Sequence, residues 1–453
     1  MGAETAVSKR LFGTDGIRAV AGDEPLDPPT VRRFGVALAR RLAGTHGAAR
    51  VVLGRDTRES GPWLRDALAA GVAAAGGEPI DVGVVTTPGL AWVLRQGGHD
   101  AGVMISASHN PFADNGLKAF DRDGVKLGDD VEREIEAMIL DGGVDDPGEN
   151  PGTSRSQTDV IDDYVNHLIQ AIDRERLNGL RVALDCANGA ACKIAPQVFR
   201  ALGAEVLTIG VEPDGRNINL DCGSLHLESL AEFVRTHGCD VGLAFDGDAD
   251  RCLAVDRLGR TVDGDAILFI TGRRLKRNGR LPGDGLVATI MSNFWLEERL
   301  GAEGVRLHRA QVGDKYVLET MHNEQLVLGG EQSGHVIFRE HATTGDGILT
   351  GLQLIDAVLA GDETLDQIVD GITPYPQVLI NVRVGEKPDL RSHAIIGPAV
   401  AGVEDALAGT GRVVLRYSGT EPLVRVMLEG KDPDQVRRQA ERLAGVIRDE
   451  LGV

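Results

Sequence analysis

The chain reads as an α/β protein: three similar α/β domains with mixed, mainly parallel sheets, followed by a C-terminal α+β domain. Three observations carry this reading. Short Val/Leu/Ile runs alternate with helical stretches between residues 50 and 328, the mark of βαβ units and parallel sheets. From about residue 376 strands follow one another directly, as in a small antiparallel sheet. At 453 residues the chain is also too long for one compact core.

The elements follow in order. Residues 50–54 (RVVLG) read as a buried parallel strand, 62–77 as a helix, and 79–85 as a second strand. Thr87 and Pro88 read as the N-cap and first residue of the next helix. A third strand at 101–105 (AGVMI) runs into a polar loop. The same pattern returns at 180–184, 204–210 and 241–245, and again at 285–290, 304–307 and 325–328. After the third strand of each set comes the most polar, glycine-rich stretch nearby, where parallel sheets place their sites. The C-terminal part reads strand (378–384), helix, strand (412–418), strand (424–430) and a charged helix from 433. The linker-like stretch 145–158, the two prolines of 371–376 and a softer break near 257–265 divide the chain into expected domains 1–156, 157–258, 259–373 and 374–453.

Composition narrows the function. Forty-eight basic residues stand against sixty-eight acidic ones, a net charge of −20. That balance argues against nucleic acid and against an anionic membrane surface, so positive charge for an anionic ligand must be gathered locally. The longest apolar run, 67–77, is about half a membrane span, and the N-terminal stretch holds no signal-like segment. The five cysteines are odd in number and form no C-x-x-C pair. They read as reduced thiols, and the protein is expected in the cytoplasm.

Four loops carry candidate chemistry. ISASHNP (105–111) puts Ser106, Ser108, His109 and Asn110 after a strand. These types supply a nucleophile, a proton carrier and a brace, although alone the segment reads as a Ser/Asn turn closed by proline. No GxSxG elbow surrounds either serine. DGDADR (246–251) sets Asp246, Asp248 and Asp250 directly after a strand. Carboxylates this close repel one another unless a cation sits between them, and oxygen ligands favour Mg²⁺ or Ca²⁺. An EF-hand is excluded, because Arg251 and Arg257 occupy the positions that need Gly and Glu. GGEQSGH (329–335) offers Glu331, Ser333 and His335, which suit sugar hydroxyls, although alone it is a glycine-rich connection. RYSGTEPLVR (416–425) combines Ser418, Gly419 and Thr420 with Arg416 and Arg425, a phosphate cradle or a plain turn in equal measure. There is no Walker A loop, and GDGLVA (283–288) precedes its strand, which excludes a dinucleotide fingerprint. FGTDGIR (12–18) presents Arg18, and Lys118 in DNGLK alone reads as a solvated surface lysine.

As an ordered set these loops, with ANGAACKIAP (187–196), PDGRNIN (213–219) and ATTGDG (342–347), resemble the α-D-phosphohexomutase superfamily across the whole chain. Within it they resemble the bacterial branch that acts on glucosamine phosphates. One departure is Ala19, where the superfamily usually has Gly, and the stretch after it is less typical. The resemblance implies four domains in a heart shape around a central cleft. It implies that Ser108 carries a phosphoryl group, and that one Mg²⁺ is held by Asp246, Asp248, Asp250 and a Ser108 phosphoryl oxygen. Lys118 and His335 become proton carriers, Arg18 and Arg251 add positive charge, and His109 orients the phosphoserine. Glu331 and Ser333 grip the sugar, while Arg416, Ser418, Gly419, Thr420 and Arg425 hold its second phosphate. The implied reaction interconverts glucosamine 6-phosphate and glucosamine 1-phosphate through a 1,6-bisphosphate that also primes the enzyme, and it feeds UDP-N-acetylglucosamine synthesis. Members are often homodimers. The alternatives are a phosphomannomutase or phosphoglucomutase of the same superfamily and a Mg²⁺-dependent phosphatase. Against the latter, the aspartate loop lacks the D-x-D-x-T pattern of haloacid-dehalogenase phosphatases.

Overall fold

The structure, a computed structural model, describes residues 11–13, 15–43, 47–148, 154–172, 177–418 and 421–453. The first unit runs β1 (Ile17–Val20), α1 (Pro28–Leu42), β2 (Arg50–Arg55), α2 (Gly61–Ala74), β3 (Glu78–Val84), α3 (Thr87–Arg95), β4 (Ala101–Ile105), β5 (Asp114–Asp121), α4 (Asp129–Leu140) and β6 (Arg155–Ser156). The second has α5 (Val160–Gln170), β7 (Arg181–Asp185), α6 (Ala191–Ala201), β8 (Glu205–Ile209), α7 (Leu227–His237), β9 (Val241–Phe245), β10 (Cys252–Asp256) and β11 (Thr261–Val262). The third has α8 (Gly264–Arg277), β12 (Gly285–Thr289), α9 (Phe294–Ala302), β13 (Arg306–Ala310), α10 (Asp314–Asn323), β14 (Leu328–Gly330), β15 (Val336–Phe338), α11 (Gly347–Leu359) and α12 (Leu365–Asp370). The last has β16 (Gln377–Arg383), α13 (Ile396–Leu407), β17 (Gly411–Tyr417), β18 (Leu423–Gly430) and α14 (Pro433–Leu451).

The expected threefold pattern is present as one repeated sheet plan. The strand orders contain β5-β4-β2-β3, β10-β9-β7-β8 and β15-β14-β12-β13. In each, three parallel strands are followed by one antiparallel partner. The parallel strands β4, β9 and β12 are buried along their full length, which explains why they are apolar throughout except for Thr289 at the end of β12. Consequently the polar loops 106–113, 246–251 and 331–335 are equivalent: each joins the last parallel strand to the strand that turns back. The C-terminal sheet is antiparallel, in the order β16-β18-β17.

Local choices support this plan. Helix α1 opens on Asp27, whose carboxylate accepts the Thr30 N–H, with prolines in its first turn. Gly71 lets α2 cross α1 closely, since a Cβ there would lie 2.1 Å from the Arg32 carbonyl oxygen. Three expectations shift. Thr86, not Thr87, caps α3, with its hydroxyl accepting the Gly89 N–H at 3.0 Å. The strands expected at 304–307 and 325–328 lie two or three residues later, because the glycine turn at 304 and the helix C-cap region at 324–326 take the earlier residues. Within the linker-like stretch, Arg155 and Ser156 add an edge strand beside β3. The second and third units share one continuous apolar core, in which Ile348 and Leu352 of α11 join Leu243 of β9. No described helix is long and apolar enough to cross a membrane.

The junction to the C-terminal unit is polar. Asn293 caps α9 and also pairs with the Tyr375 backbone at 3.0 and 3.1 Å. Arg412 donates to the Ser292 carbonyl at 2.6 Å. The Asn293 N–H is held at 2.7 Å by buried Asp265, whose carboxyl is pushed up to about 7 by burial and by Asp263. The folded chain therefore keeps a proton that the unfolded chain has lost between about pH 4 and 7, and stability falls as pH rises through that window. Asp265→Asn is expected to remove roughly 2–3 kcal/mol of the stability difference between pH 5 and pH 8. Urea unfolding at both values measures it, and an unchanged difference counts against a protonated Asp265.

Candidate active site

Two of the equivalent loops meet face to face. Ser108 is buried, with φ +53°, in the left-handed region where non-glycine residues are uncommon. Its hydroxyl donates to Asp246 Oδ2 and lies 3.2 Å from His109 Nδ1. Its N–H donates to Ser106 Oγ at 2.9 Å, and Ser106 donates to Asp56 at 2.7 Å. Opposite, Asp246, Asp248 and Asp250 are all buried and each presents an oxygen within 4.8 Å of the others.

The electrostatics of this cluster suit a cation. Burial, then Asp250 and Asp248, raise the Asp246 carboxyl well above the usual range. Burial acts the same way on Asp250, yet Lys118 and His335 outweigh it and hold that carboxyl well below the usual range. Oδ1 of Asp248 is buried without a hydrogen-bond partner, and Oδ1 of Asp250 has only His335 and Arg251 near it, at 3.7 and 3.9 Å. Such orphaned acceptors are costly in a protein interior and are the atoms a hard cation would use. The donor set, all oxygen, fits Mg²⁺.

Lys118 is not the solvated surface lysine that the DNGLK segment alone suggests. It lies on β5, between β1 and β4, and is 1% exposed. Its ammonium sits 2.9 Å from Asp248, 3.2 Å from Asp250 and 3.3 Å from Asp15. Burial opposes its charge, but these three carboxylates hold its pKa well above the ordinary value. His335 is also buried, with Nδ1 3.7 Å from Asp250 and Nε2 3.9 Å from Asp314. The Gly345 N–H donates to Nε2 at 3.0 Å, which leaves the ring proton on Nδ1, facing Asp250.

Arg18 donates to the Ala107 carbonyl and to Asp15, and Arg251 Nε stands 3.9 Å from Asp250. Burial, Arg251 and Arg18 push His109 down to about 4, so that ring is neutral near pH 7. Glu331 accepts from the Gly313 N–H at 3.0 Å and from Ser333 at 3.2 Å. Arg416 and Arg425 face each other across β17 and β18, and Ser418 is buried beside them. Gly419 and Thr420 lie outside the described residues. Among the described residues no hydrogen bond or ion pair joins Arg416, Ser418 or Arg425 to the Ser108 cluster. A cavity of about 490 Å³ opens between the first and third units behind Lys118, and neither Ser108 nor the three aspartates line it.

Several participants went unread. The Thr87 hydroxyl reaches Asp248 Oδ2 at 2.5 Å, and its N–H donates to the Asp248 carbonyl at 2.9 Å. Asp15, Lys126 and Asp314 link Lys118 to His335 across the first and third units. Asp56 and Arg58, in GRDTR directly after β2, carried the same signal as the other loops, an apolar strand running into charge.

Comparison with known proteins agrees unit by unit. Residues 9–143, 162–259 and 263–375 match the phosphoglucomutase/phosphomannomutase alpha/beta/alpha domains I, II and III, and residues 379–446 match the C-terminal domain. The chain belongs to the phosphoglucomutase/phosphomannomutase family. Among its relatives, the phosphoglucosamine mutase of Solibacter usitatus is 49% identical over 446 residues, covering 98% of this chain and 100% of that one. The phosphoglucosamine mutase of Symbiobacterium thermophilum is 50% identical over 447 residues, covering 98% and 99%. Among solved structures, a phosphoglucomutase/phosphomannomutase family protein from Burkholderia thailandensis superposes with a TM-score of 0.80 at 24% identity, covering 98% of each chain. An N-acetylphosphoglucosamine mutase from Aspergillus fumigatus, in complex with GlcNAc-6P and magnesium, superposes at 0.65 with 19% identity, covering 97% of this chain and 95% of that one. These likenesses show the family fold.

Proposed function

We propose that the chain is a phosphoglucosamine mutase, interconverting glucosamine 6-phosphate and glucosamine 1-phosphate through a phosphorylated Ser108 and a 1,6-bisphosphate. The observation that carries this is the Ser108 hydroxyl buried against three convergent aspartates, in a chain about half identical along its length to phosphoglucosamine mutases.

Asp246, Asp248, Asp250 and Ser108 would hold Mg²⁺, which when bound offsets charge on the transferring phosphoryl group. The residues do the rest. In the forward step the bond from phosphorus to Ser108 Oγ breaks and a bond to the free sugar hydroxyl forms. The hydroxyl proton is relayed to the departing Ser108 Oγ through Lys118 or His335, the two buried proton carriers beside the cluster, and charged Lys118 takes up a proton only as it gives one of its own to that oxygen. The second step is the reverse at the other end of the sugar, and Lys118, held charged, is poised to protonate the departing oxygen. Arg18 and Arg251 add positive charge, neutral His109 orients the phosphoserine, Glu331 and Ser333 grip the sugar, and Arg416, Ser418, Gly419, Thr420 and Arg425 hold the distant phosphate. Burial of Ser108 keeps water from the phosphoenzyme.

The test is intact mass and product analysis after adding a hexose 1,6-bisphosphate and Mg²⁺, then glucosamine, mannose and glucose 6-phosphates in parallel. Phosphate on Ser108 that passes preferentially to the glucosamine phosphate supports the reading. Preference for another sugar moves it within the family, and release of inorganic phosphate alone makes it a hydrolase. A second prediction concerns Thr87, which orients an aspartate. Thr87→Val keeps the shape, loses the donor, and is expected to weaken Mg²⁺ binding roughly 10- to 100-fold by titration calorimetry; unchanged affinity would remove Thr87 from the site.

A further inference from the structure

We infer that Arg58 and Asn219 are positioning residues that hold Ser108 in its left-handed backbone conformation, and that Asn219 makes the nucleophile's alignment depend on the docking of the second unit against the first. This rests on the phosphoserine reading of the same site.

A residue's φ and ψ are set by the orientation of the two planar peptides that flank it. Both planes around Ser108 are pinned. The preceding peptide is held by the Ser108 N–H donating to Ser106 Oγ at 2.9 Å. The following peptide is held by its carbonyl, which accepts from Arg58 at 3.0 Å and from Asn219 Nδ2 at 2.9 Å. With its side chain fully buried, Arg58 also donates to the carbonyls of Asn110 at 2.8 Å, of Pro111, and of Asp114 at 3.0 Å. Asp56 fixes the guanidinium at 2.9 Å and accepts from Ser106 as well, so one carboxylate braces both pins. Asn219 contributes a second donation, to the Asn110 carbonyl at 3.1 Å.

A serine at positive φ is disfavoured unless its surroundings over-determine it, and these donors do so. Asn219 is itself at φ +59°, and its N–H is tied to the Ala187 carbonyl at 2.9 Å, so its amide is presented by a fixed loop of the second unit. Gly247 of the aspartate loop presses on the same carbonyl, since a Cβ there would lie 2.5 Å from the Ser108 oxygen. The Ser108 carbonyl is thus the contact where the nucleophile loop, the aspartate loop and the Asn219 loop meet.

The experiment uses the full chain with Mg²⁺ and a hexose 1,6-bisphosphate, comparing wild type with Asn219→Ala, Asn219→Asp and Arg58→Lys. Asp is isosteric and tolerates positive φ but lacks the N–H donors; Lys keeps the charge facing Asp56 but loses the fork. Expected are melting temperatures within a few degrees of wild type for the Asn219 variants, KM within about twofold, kcat lowered roughly 10- to 100-fold, and a shifted or broadened phosphorus resonance for phospho-Ser108. Folded Asn219→Ala with kcat within about twofold of wild type and an unmoved resonance overturns the inference, as does a loss expressed in KM alone. Wild type separates the two readings: if its Ser108 never takes up phosphate, the mutase reading fails; if it does and the variants match it, only the positioning role fails.

Discussion

Lys118→Met is expected to destabilise the metal-free protein by about 3–5 kcal/mol, the cost of leaving buried charge uncompensated. The ammonium is 1% exposed and is the cation shared by Asp15, Asp248 and Asp250. Methionine fills similar volume, so a loss of stability reports charge rather than packing. Mg²⁺ binds to two of the same carboxylates in the proposed site, so its addition is expected to restore more stability to the variant than to wild type. Acid is expected to narrow the gap. Asp15 and Asp250 have depressed pKa values, so their contribution is present above about pH 4 and is lost as pH falls through their folded values. Guanidinium unfolding in EDTA and in excess Mg²⁺ measures this, and equal stability of variant and wild type in EDTA would contradict the charge role.

Ser108→Ala is expected to abolish mutase activity, by on the order of 10⁴-fold or more, while leaving the fold intact. Alanine meets the same backbone requirement and removes one hydroxyl and its bond to Asp246. Mass analysis should find no phosphate acquired at position 108 from a sugar bisphosphate. Retained turnover would mean that the phosphoryl group travels without this serine.

The residues explain what the sequence disclosed and what it hid. Strands β4 and β9 are buried on both faces, so they appear as unbroken apolar runs, and the abrupt polar residues after them stand out. Strand β5 is buried from Asn115 to Phe120, but its sequence, DNGLKAFD, carries Asn115 and Lys118 inward to polar partners, and no apolar periodicity reveals it. Thr87 resembled a helix cap because Thr86, one residue earlier, performs that task and frees Thr87 for Asp248. The boundary near residue 258 was soft because the second and third units have no separate cores to delimit. Asn219 sat inside a recognisable stretch, yet its role depends on the packing of one unit on another, and single-chain patterns do not encode that.

The left-handed backbone at position 108 also decides which alcohol can serve there. Threonine offers the same oxygen, but its branched Cβ is poorly tolerated at φ +53°. Cysteine, unbranched at Cβ, would fit the same shape with a different atom. Any library of substitutions at this codon should therefore sort by branching before it sorts by chemistry, because the main chain at this position favours an unbranched side chain.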